Sequence, residues 1–522
     1  MRTIKKLTTN NHYSHSEEIF EEHLAKNPES KPSSFERIVR RNLRKTKNIN
    51  FTLITSIMIL LLSACSFAPK KVDIATEIKI PESYNNSTSY TVDREDAAPV
   101  SWWNEFENEE LNELIEKVIE NNLDLQIAGK RVDMLKSQFK AVRGSLLPAV
   151  SATGSYTKTE GPVTEPVFTP AGMEMSASIK ESEMYSLRTG LGFELDIWGK
   201  LRRNTKAANE SFKASKEDLK TAYLGIIAQT VILFYDIEAQ KRNVEISKKT
   251  LSITKQNYDV AERRYRNGVA PKESLERISQ VYGNMQTKFQ SDKQLLSAKL
   301  NQLSVLLGEY PQQQTSNTDI ETEFLPAFDE ISVGVPSDLL RERSDIVGAA
   351  HNLEAARQQA GAAFADFFPS ISLSAGLNFA SGSWDTLFDE LSTTKSIGGE
   401  VSEVLFAGGA KVASYKQKKA AYEQSVLTYK KTILTAFSDV ENALFSLETA
   451  RMNQQNSKAN YESAKRVFEI TKQKYLKGTV NYSQYLESQS TMYSTLTIMY
   501  NADKQLISAR VQLYSALGGK GI

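Results

Sequence analysis

The sequence predicts a mixed α/β protein made of two copies of one unit, in which long unbroken helices alternate with a few amphipathic strands that one chain cannot close. Three observations lead there: an internal repeat, long proline-free stretches with helical periodicity, and strict alternation in short segments of each copy. The repeat is explicit. "RYRNGVAPKESLE" (264–276) matches "KYLKGTVNYSQYLE" (474–487), and "DKQLLSAKLNQLSVLLG" from Asp292 matches "DKQLISARVQLYSALGG" from Asp503, both at an offset of about 210 residues. Upstream, "LLPAVSATGSY" from Leu146 matches "FFPSISLSAGL" from Phe367 at an offset of about 221. Self-similarity at a fixed offset marks a duplicated unit, read here as helix, strand, loop, strand, long helix, turn, helix.

The chain divides accordingly into a polar extension with an export signal (1–64), an N-terminal segment (65–107), repeat 1 (108–308), a linker (309–337), repeat 2 (338–517) and a short tail (518–522). In "FTLITSIMILLLSA", Phe51 to Ala64, the apolar run is about 14 residues, short of the roughly 20 that a spanning helix needs. Arg40, Arg41, Arg44, Lys45 and Lys47 precede it and the small residues Ser63 and Ala64 close it, the layout of a signal peptide. Residues 1 to about 36 lie ahead of that signal and are polar, with a composition typical of disorder. Cys65 is the only cysteine, so an internal disulfide and a multi-cysteine metal site are excluded.

Residues 1–64 hold 11 basic and 6 acidic side chains against a whole-chain charge of +1, leaving about −4 on the remainder. No basic face for nucleic acid is indicated. His12, His15 and His23 fall in the extension, leaving His351 as the one later imidazole. With no "GxSxG" elbow and no "GxxxxGK[ST]" loop, neither a hydrolase nor a nucleotide site is expected.

No proline occurs between Ala171 and Ala270 or after Pro369, so long helices are unobstructed. Leu219, Ala222, Tyr223, Ile226, Ile227, Thr230, Val231 and Phe234 recur at three and four, a packed helical stripe. A helix from about Lys200 to Arg266 would be roughly 100 Å long. Gly268 then stands where a C-terminal cap is wanted and Pro271 where the next helix begins; Gly478 keeps the first role in repeat 2.

In "YSLRTGLGFELDIW" (185–198), Tyr185, Leu187, Leu191, Phe193, Leu195 and Ile197 oppose Ser186, Arg188, Gly190, Gly192, Glu194 and Asp196. "SISLSAGLNF" repeats the pattern, the strand after Leu147 follows it weakly, and "SIGGEVSEVLF" follows it least, with Glu403 on its apolar register. A soluble sandwich alternates in the same way. Only about four such strands exist, however, each near the 9 to 11 residues of a transmembrane β-strand. Four strands cannot close a barrel and open edges cannot face lipid. Two copies would supply eight strands and three would supply twelve, and a water-filled passage favours the larger assembly.

Several motifs, in order, resemble the outer-membrane efflux protein family (TolC-like), in its NodT-type lipoprotein branch: "SWWNEFENEELNELIEKVIENNLDLQIAGKRV", "FELDIWGKLRR", "VPSDLLRERSDIVGAAHNLEAA" and "FADFFPSISLSAGL". Ser344 stands where that family usually has proline, and the usual acidic residue near Ala350 and His351 is missing. The resemblance implies a homotrimer with a 12-stranded outer-membrane β-barrel, four strands per chain, continued by a long periplasmic α-helical barrel. An equatorial region would form from Pro311 to Val335 and the chain ends. Such a protein is the passive exit duct of a tripartite efflux system, not an enzyme, with a periplasmic membrane-fusion adaptor and an inner-membrane transporter of the resistance-nodulation-division type as partners. No cofactor, metal or nucleic acid is implied.

Leu62-Ser63-Ala64-Cys65 resembles a lipobox, which implies a covalent lipid on Cys65 and anchoring in outer-membrane lipid. The resemblance also places a periplasmic gate at Gln484 and Glu487 and adaptor-contacting tips at Gly268, Val269, Gly478 and Thr479. The loops "TEGPVTEPVFTPAGMEMSASIKESE" and "ASGSWDTLFDELSTTK" would face the exterior. The alternative reading is a lipid-anchored coiled-coil scaffold or adhesin without a pore.

Overall fold

The structure, a computed structural model, describes residues 68–70, 84, 102–170, 172–311, 325–326 and 336–519. Cys65 and most of the expected equatorial linker lie outside the described residues. The duplication is exact in length for three of the four helices of each repeat, the first being shortened in repeat 2. In repeat 1 they are α1 (Glu109–Asn121), α2 (Leu123–Gly144, 22 residues), α3 (Lys200–Arg266, 67 residues) and α4 (Lys272–Leu306, 35 residues). Repeat 2 follows with a single turn α5 (Leu339–Glu342), α6 (Ser344–Ala365, 22 residues), α7 (Ala410–Leu476, 67 residues) and α8 (Tyr482–Ala516, 35 residues). Ser344 opens α6, so the helix starts there without a proline.

Between α2 and α3 lie β1 (Ala149–Thr169) and β2 (Gly172–Glu194); between α6 and α7 lie β3 (Ser370–Ser381) and β4 (Thr393–Ser402). They form one antiparallel sheet in the order β1-β2-β3-β4. Two strand expectations need correction. β1 and β2 run 21 and 23 residues, and the segment read as a loop from Thr159 to Glu183 is the far half of their ladder, paired down to Thr169 and Gly172. Glu403 does not enter the apolar face, because β4 stops at Ser402 and the Glu403 carboxylate pairs with Lys411 at 2.6 Å.

The strand-to-helix junction explains "FELDIWGK". The Asp196 carboxylate accepts the backbone N–H groups of Leu201 and Arg202, each at 2.9 Å, and the Arg202 Nε at 2.9 Å. It thereby satisfies donors that the first turn of a 67-residue helix leaves open and places negative charge at its positive end. Trp198 donates from Nε1 to the Pro369 carbonyl at 2.7 Å and stacks on Phe368 at 4.9 Å, so the junctions of the two repeats lock side by side.

The core sits where the N-terminal turn and α1 meet α3, α7 and α8. Trp102, Phe106, Leu111 and Ile115 are buried against Ile227, Val231, Leu444, Ile507 and Leu513. Trp102 stacks on Tyr514 at 5.2 Å, and Arg510 reaches Glu105 at 2.8 Å. Burial of this cluster pushes the Tyr514 phenol well above its ordinary range. One 18-residue window of α3 reaches a mean hydropathy of 1.3, and half of it is buried within the chain, so it serves as core.

Asn122 ties the two ends of repeat 1 together. Its Oδ1 accepts the Leu125 N–H at 3.1 Å as the N-cap of α2, and its Nδ2 donates to the Leu306 carbonyl of α4 at 2.9 Å, with the residue 2% exposed. Asn122→Ala orphans both groups and is expected to destabilise the fold by about 2 kcal/mol, checked as a lowered thermal unfolding midpoint with the assembled mass unchanged.

Candidate functional site

The sheet has two chemically different faces, and the register carries each across all four strands. One face runs in rows: Gly154, Leu187, Phe379 and Thr393; then Ala152, Thr189, Leu377 and Lys395, the one charged residue among these rows; then Val150, Leu191, Ala375 and Ile397; then Phe193, Leu373 and Gly399; then Ile371 and Val401. Val150 is 77% and Ile397 91% exposed, an apolar surface that none of the described residues covers. The opposite face has Thr153, Arg188, Asn378 and Thr394; Ser151, Gly190, Gly376 and Ser396; and Gly192, Ser374 and Gly398. Ser155 and Ser186 share a 2.8 Å hydrogen bond there. This second face is lined by hydroxyls, the Asn378 amide, the Arg188 guanidinium and bare backbone, a surface suited to water.

Aromatic residues bracket the apolar face. At the outer end Tyr156 lies 4.8 Å from Tyr185, which meets Trp384 edge-on at 6.0 Å; at the helical end stand Trp198, Phe367 and Phe368. From Tyr185 to Leu195 a strand covers about 33 Å along its own axis and about 25 Å when tilted by some 40°, the height of the apolar band of an outer-membrane barrel. Beyond Tyr156 the ladder turns charged, with Lys158 and Glu181 paired at 2.8 Å, so the distal half of the β1–β2 ribbon lies outside such a band. Among the described residues, both outer strands, β1 and β4, have one unpaired edge.

At the other end of the helices the sequence-derived tip residues sit at the two helix-to-helix turns. The Gly268 N–H donates to the Tyr265 carbonyl at 2.9 Å and the Val269 N–H to the Arg264 carbonyl at 2.9 Å. Gly478 and Thr479 repeat this with Tyr475 and Lys474 at the same distances. Both are Schellman stops, which need a left-handed residue, and Gly268 and Gly478 have φ of +68° and +72°. A Cβ at either would meet nothing within 4 Å, so backbone conformation, not packing, selects glycine. Val269 is 66% exposed.

The second tip carries rings the first lacks. Tyr475 stacks on Tyr485 at 5.1 Å and lies 5.5 Å from Tyr482, whose hydroxyl donates to Gln256 Oε1 on α3 at 3.3 Å. Gln484 and Glu487 share one exposed stripe of α8 with Ser483, Ser490, Thr491 and Ser494. They are not equivalent. Gln484 is occupied by a capping box: its N–H donates to Asn481 Oδ1 at 2.9 Å and its Oε1 accepts the Asn481 N–H at 3.3 Å. Glu487 is exposed and makes no ion pair among the described residues.

Sequence reasoning missed a groove of about 1180 Å³ between α7, α8 and the N-terminal turn, lined by Phe106, Tyr461, Phe468, Tyr493, Tyr500 and Asp503 with Lys249, Lys458 and Lys465. Burial raises the Asp503 carboxyl, against the lowering by Gln454 Nε2, which donates to it at 2.9 Å. No sequence signal marks it, since its walls come from segments hundreds of residues apart. No group of three or more metal-ligating side chains exists among the described residues.

Comparison with known proteins places this geometry. The model of the outer membrane efflux protein family matches residues 114–309 and 335–519. The probable efflux pump outer membrane protein TtgC of Pseudomonas putida is 28% identical over 365 residues, 69% of this chain and 72% of that protein. The cation efflux system protein CusC of Escherichia coli is 27% identical over 335 residues, 63% and 68% respectively. Among solved structures, the CmeC outer membrane channel of Campylobacter jejuni superimposes with a TM-score of 0.74 at 24% identity, covering 88% of this chain and 95% of that one. The open-state MtrE channel of Neisseria gonorrhoeae gives 0.70 at 21%, covering 88% and 99%.

Proposed function

The chain belongs to the outer membrane efflux protein family and is an outer-membrane efflux channel, a passive conduit rather than an enzyme, and from that premise we propose how its parts divide the work. Three copies join β4 of one to β1 of the next, giving twelve strands with the apolar rows in lipid and the hydroxyl rows around a water-filled lumen. The observation that carries this is the unpaired edge at both sides of a sheet whose outer face is apolar. Unsatisfied N–H and C=O groups are not tolerated in hydrocarbon, and eight strands would be filled by their own side chains. The experiment is the native mass of detergent-extracted protein from separated membranes. A three-chain particle in the outer-membrane fraction is expected; a monomer released without detergent overturns the duct.

The helical tips at Gly268, Val269, Gly478 and Thr479 dock a periplasmic adaptor that links the duct to an inner-membrane transporter of the resistance-nodulation-division type. Cargo choice belongs to that transporter. Cys65, acylated, tethers the N-terminus as an accessory anchor. At the periplasmic end, Glu487 forms one ring of three carboxylates, while Gln484 remains committed to its helix cap. A carboxylate ring draws cations and repels anions, so Glu487→Gln is expected to lower the cation-to-anion permeability ratio of the reconstituted channel several-fold. An unchanged reversal potential in a salt gradient removes Glu487 from the gate.

A further inference from the structure

Lys395 is the one charged side chain on the apolar rows of the sheet, and a charge facing hydrocarbon is costly unless something answers it. Nothing among the described residues does. Lys395 is exposed, and its ammonium makes no ion pair or hydrogen bond with them. Asp389 and Glu390, in the turn before β4, form no ion pair with it, and Glu194 and Glu400 belong to the opposite face. β1, the strand that the next copy brings beside β4, presents Val150, Ala152, Gly154 and Tyr156 on this face before its first charged residue, Lys158, which is paired with Glu181.

Beside Lys395 the face is hollow. A trough of about 630 Å³ runs over Thr189, Leu377, Leu191, Ala375, Ile397 and Val150. Ala375 makes the dip, being small where Leu191 and Ile397 across the sheet and Leu373 and Leu377 along β3 are large. Thr189 and Ser396 spend their hydroxyls on the Leu377 and Gly376 carbonyls, at 3.4 and 3.5 Å, which leaves the ammonium as the polar group still to be answered.

The cation and the trough come in a definite order. Lys395 is the third residue of β4, about 7 Å along the strand from its end away from the helices, whereas Ile397, Ala375 and Val150 lie farther toward the helices. A cation near the outer end followed by an apolar hollow toward the middle of the bilayer matches the order of headgroup and chain in a lipid. A lysine stem carries its charge out toward headgroup level, where a cation on the lipid face of a barrel costs least.

We propose that Lys395 and the Ala375 trough form a lipid seat for a phosphorylated, polyacylated glycolipid of the outer leaflet, the ammonium holding a phosphate and one acyl chain lying in the trough. This rests on the reading of the sheet as part of a three-chain outer-membrane barrel. With the helices in the periplasm, the end of β4 that carries Lys395 lies in the outer leaflet. A lipid of the inner leaflet would bring its phosphate to the other end of the sheet, where Lys411 is already paired with Glu403. A phosphate monoester, with about 1.5 to 2 negative charges, is also a stronger partner for the ammonium than a singly charged phosphodiester. The sheet would thus carry three such seats, one per chain.

The test is native mass spectrometry of the full-length protein, extracted in detergent, stripped of co-purified lipid and titrated with diphosphoryl hexaacyl lipid A. Up to three bound lipids per three-chain particle are expected. Lys395→Gln is expected to weaken binding about tenfold, Lys395→Arg to restore it, and Ala375→Phe, which keeps the charge but fills the trough, to weaken it several-fold. These side chains face outward, so chain count and thermal midpoint are expected to stay at parental values. Equal binding by the parent and Lys395→Gln overturns the seat, and so does an Ala375→Phe protein that binds like the parent. Phosphatidylglycerol is the competing source of an anionic headgroup; binding it as tightly as lipid A refutes an outer-leaflet glycolipid site. Chain count and lipid mass are read from the same spectrum: a particle of other than three chains refutes the barrel, whereas three chains without added lipid refute the seat alone.

Discussion

Leu434→Asp combined with Phe445→Asp is expected to leave the protein as single chains in detergent extracts and to abolish efflux. The two 67-residue helices have equal length but unequal cover. Along α3, Ile226, Ile227, Val231, Leu233, Phe234 and Ile237 are buried within the chain, whereas α7 exposes Leu427 (66%), Leu434 (58%), Phe445 (65%) and Met452 (56%). Leu427 and Leu434 are seven apart, as are Phe445 and Met452, the spacing of a helix-packing seam. On the other flank of the protomer, α2 and α4 expose Ile127, Met134, Val281 and Leu295. Two unpartnered apolar edges on one protomer are what a closed ring of identical copies requires. Each large side chain buried there contributes about 1.5 to 3 kcal/mol, repeated at three interfaces, and a carboxylate in its place adds desolvation against assembly. The native mass is the readout; a three-chain particle with the parental melting profile would assign these side chains to the open surface and move the seam elsewhere.

Gly478→Trp, and equally Gly268→Trp, is expected to reduce efflux to that of cells lacking the channel while three-chain particles remain in the outer membrane. Space is not the obstacle, since a Cβ at either position meets nothing within 4 Å. A non-glycine residue at this φ costs about 1 to 2 kcal/mol, which a helix pair of 67 and 35 residues absorbs. Alanine carries the same backbone cost without the bulk. Alanine variants that export normally beside inactive tryptophan variants would identify the tips as a contact surface, with loss of adaptor cross-linking as the direct check. Failure of both alike would make the turns structural only, and full cross-linking in the tryptophan variants would remove the adaptor from these tips.

Much of this architecture is written in local pattern. The offset of 210 residues determined that α3 and α7, and α4 and α8, are equal in length, because the same apolar period and the same glycine stop recur. Alternation from Tyr185 and from Ser370 determined which residues of β2 and β3 share a face, because a strand has a period of two. The change of offset from 221 to 210 already encoded about eleven extra residues in the first hairpin, but their form as a continued ladder was decided by cross-strand hydrogen bonds that polar residues do not announce. Only the tertiary structure separated Gln484, drawn into a helix cap, from Glu487, left exposed three residues away. Asp196 at the start of α3 and the flank of α7 that the described residues leave exposed were likewise decided in three dimensions. Periodicity along a chain reports which face a helix or strand prefers to bury; what covers that face depends on segments hundreds of residues distant and, here, on further copies of the same chain.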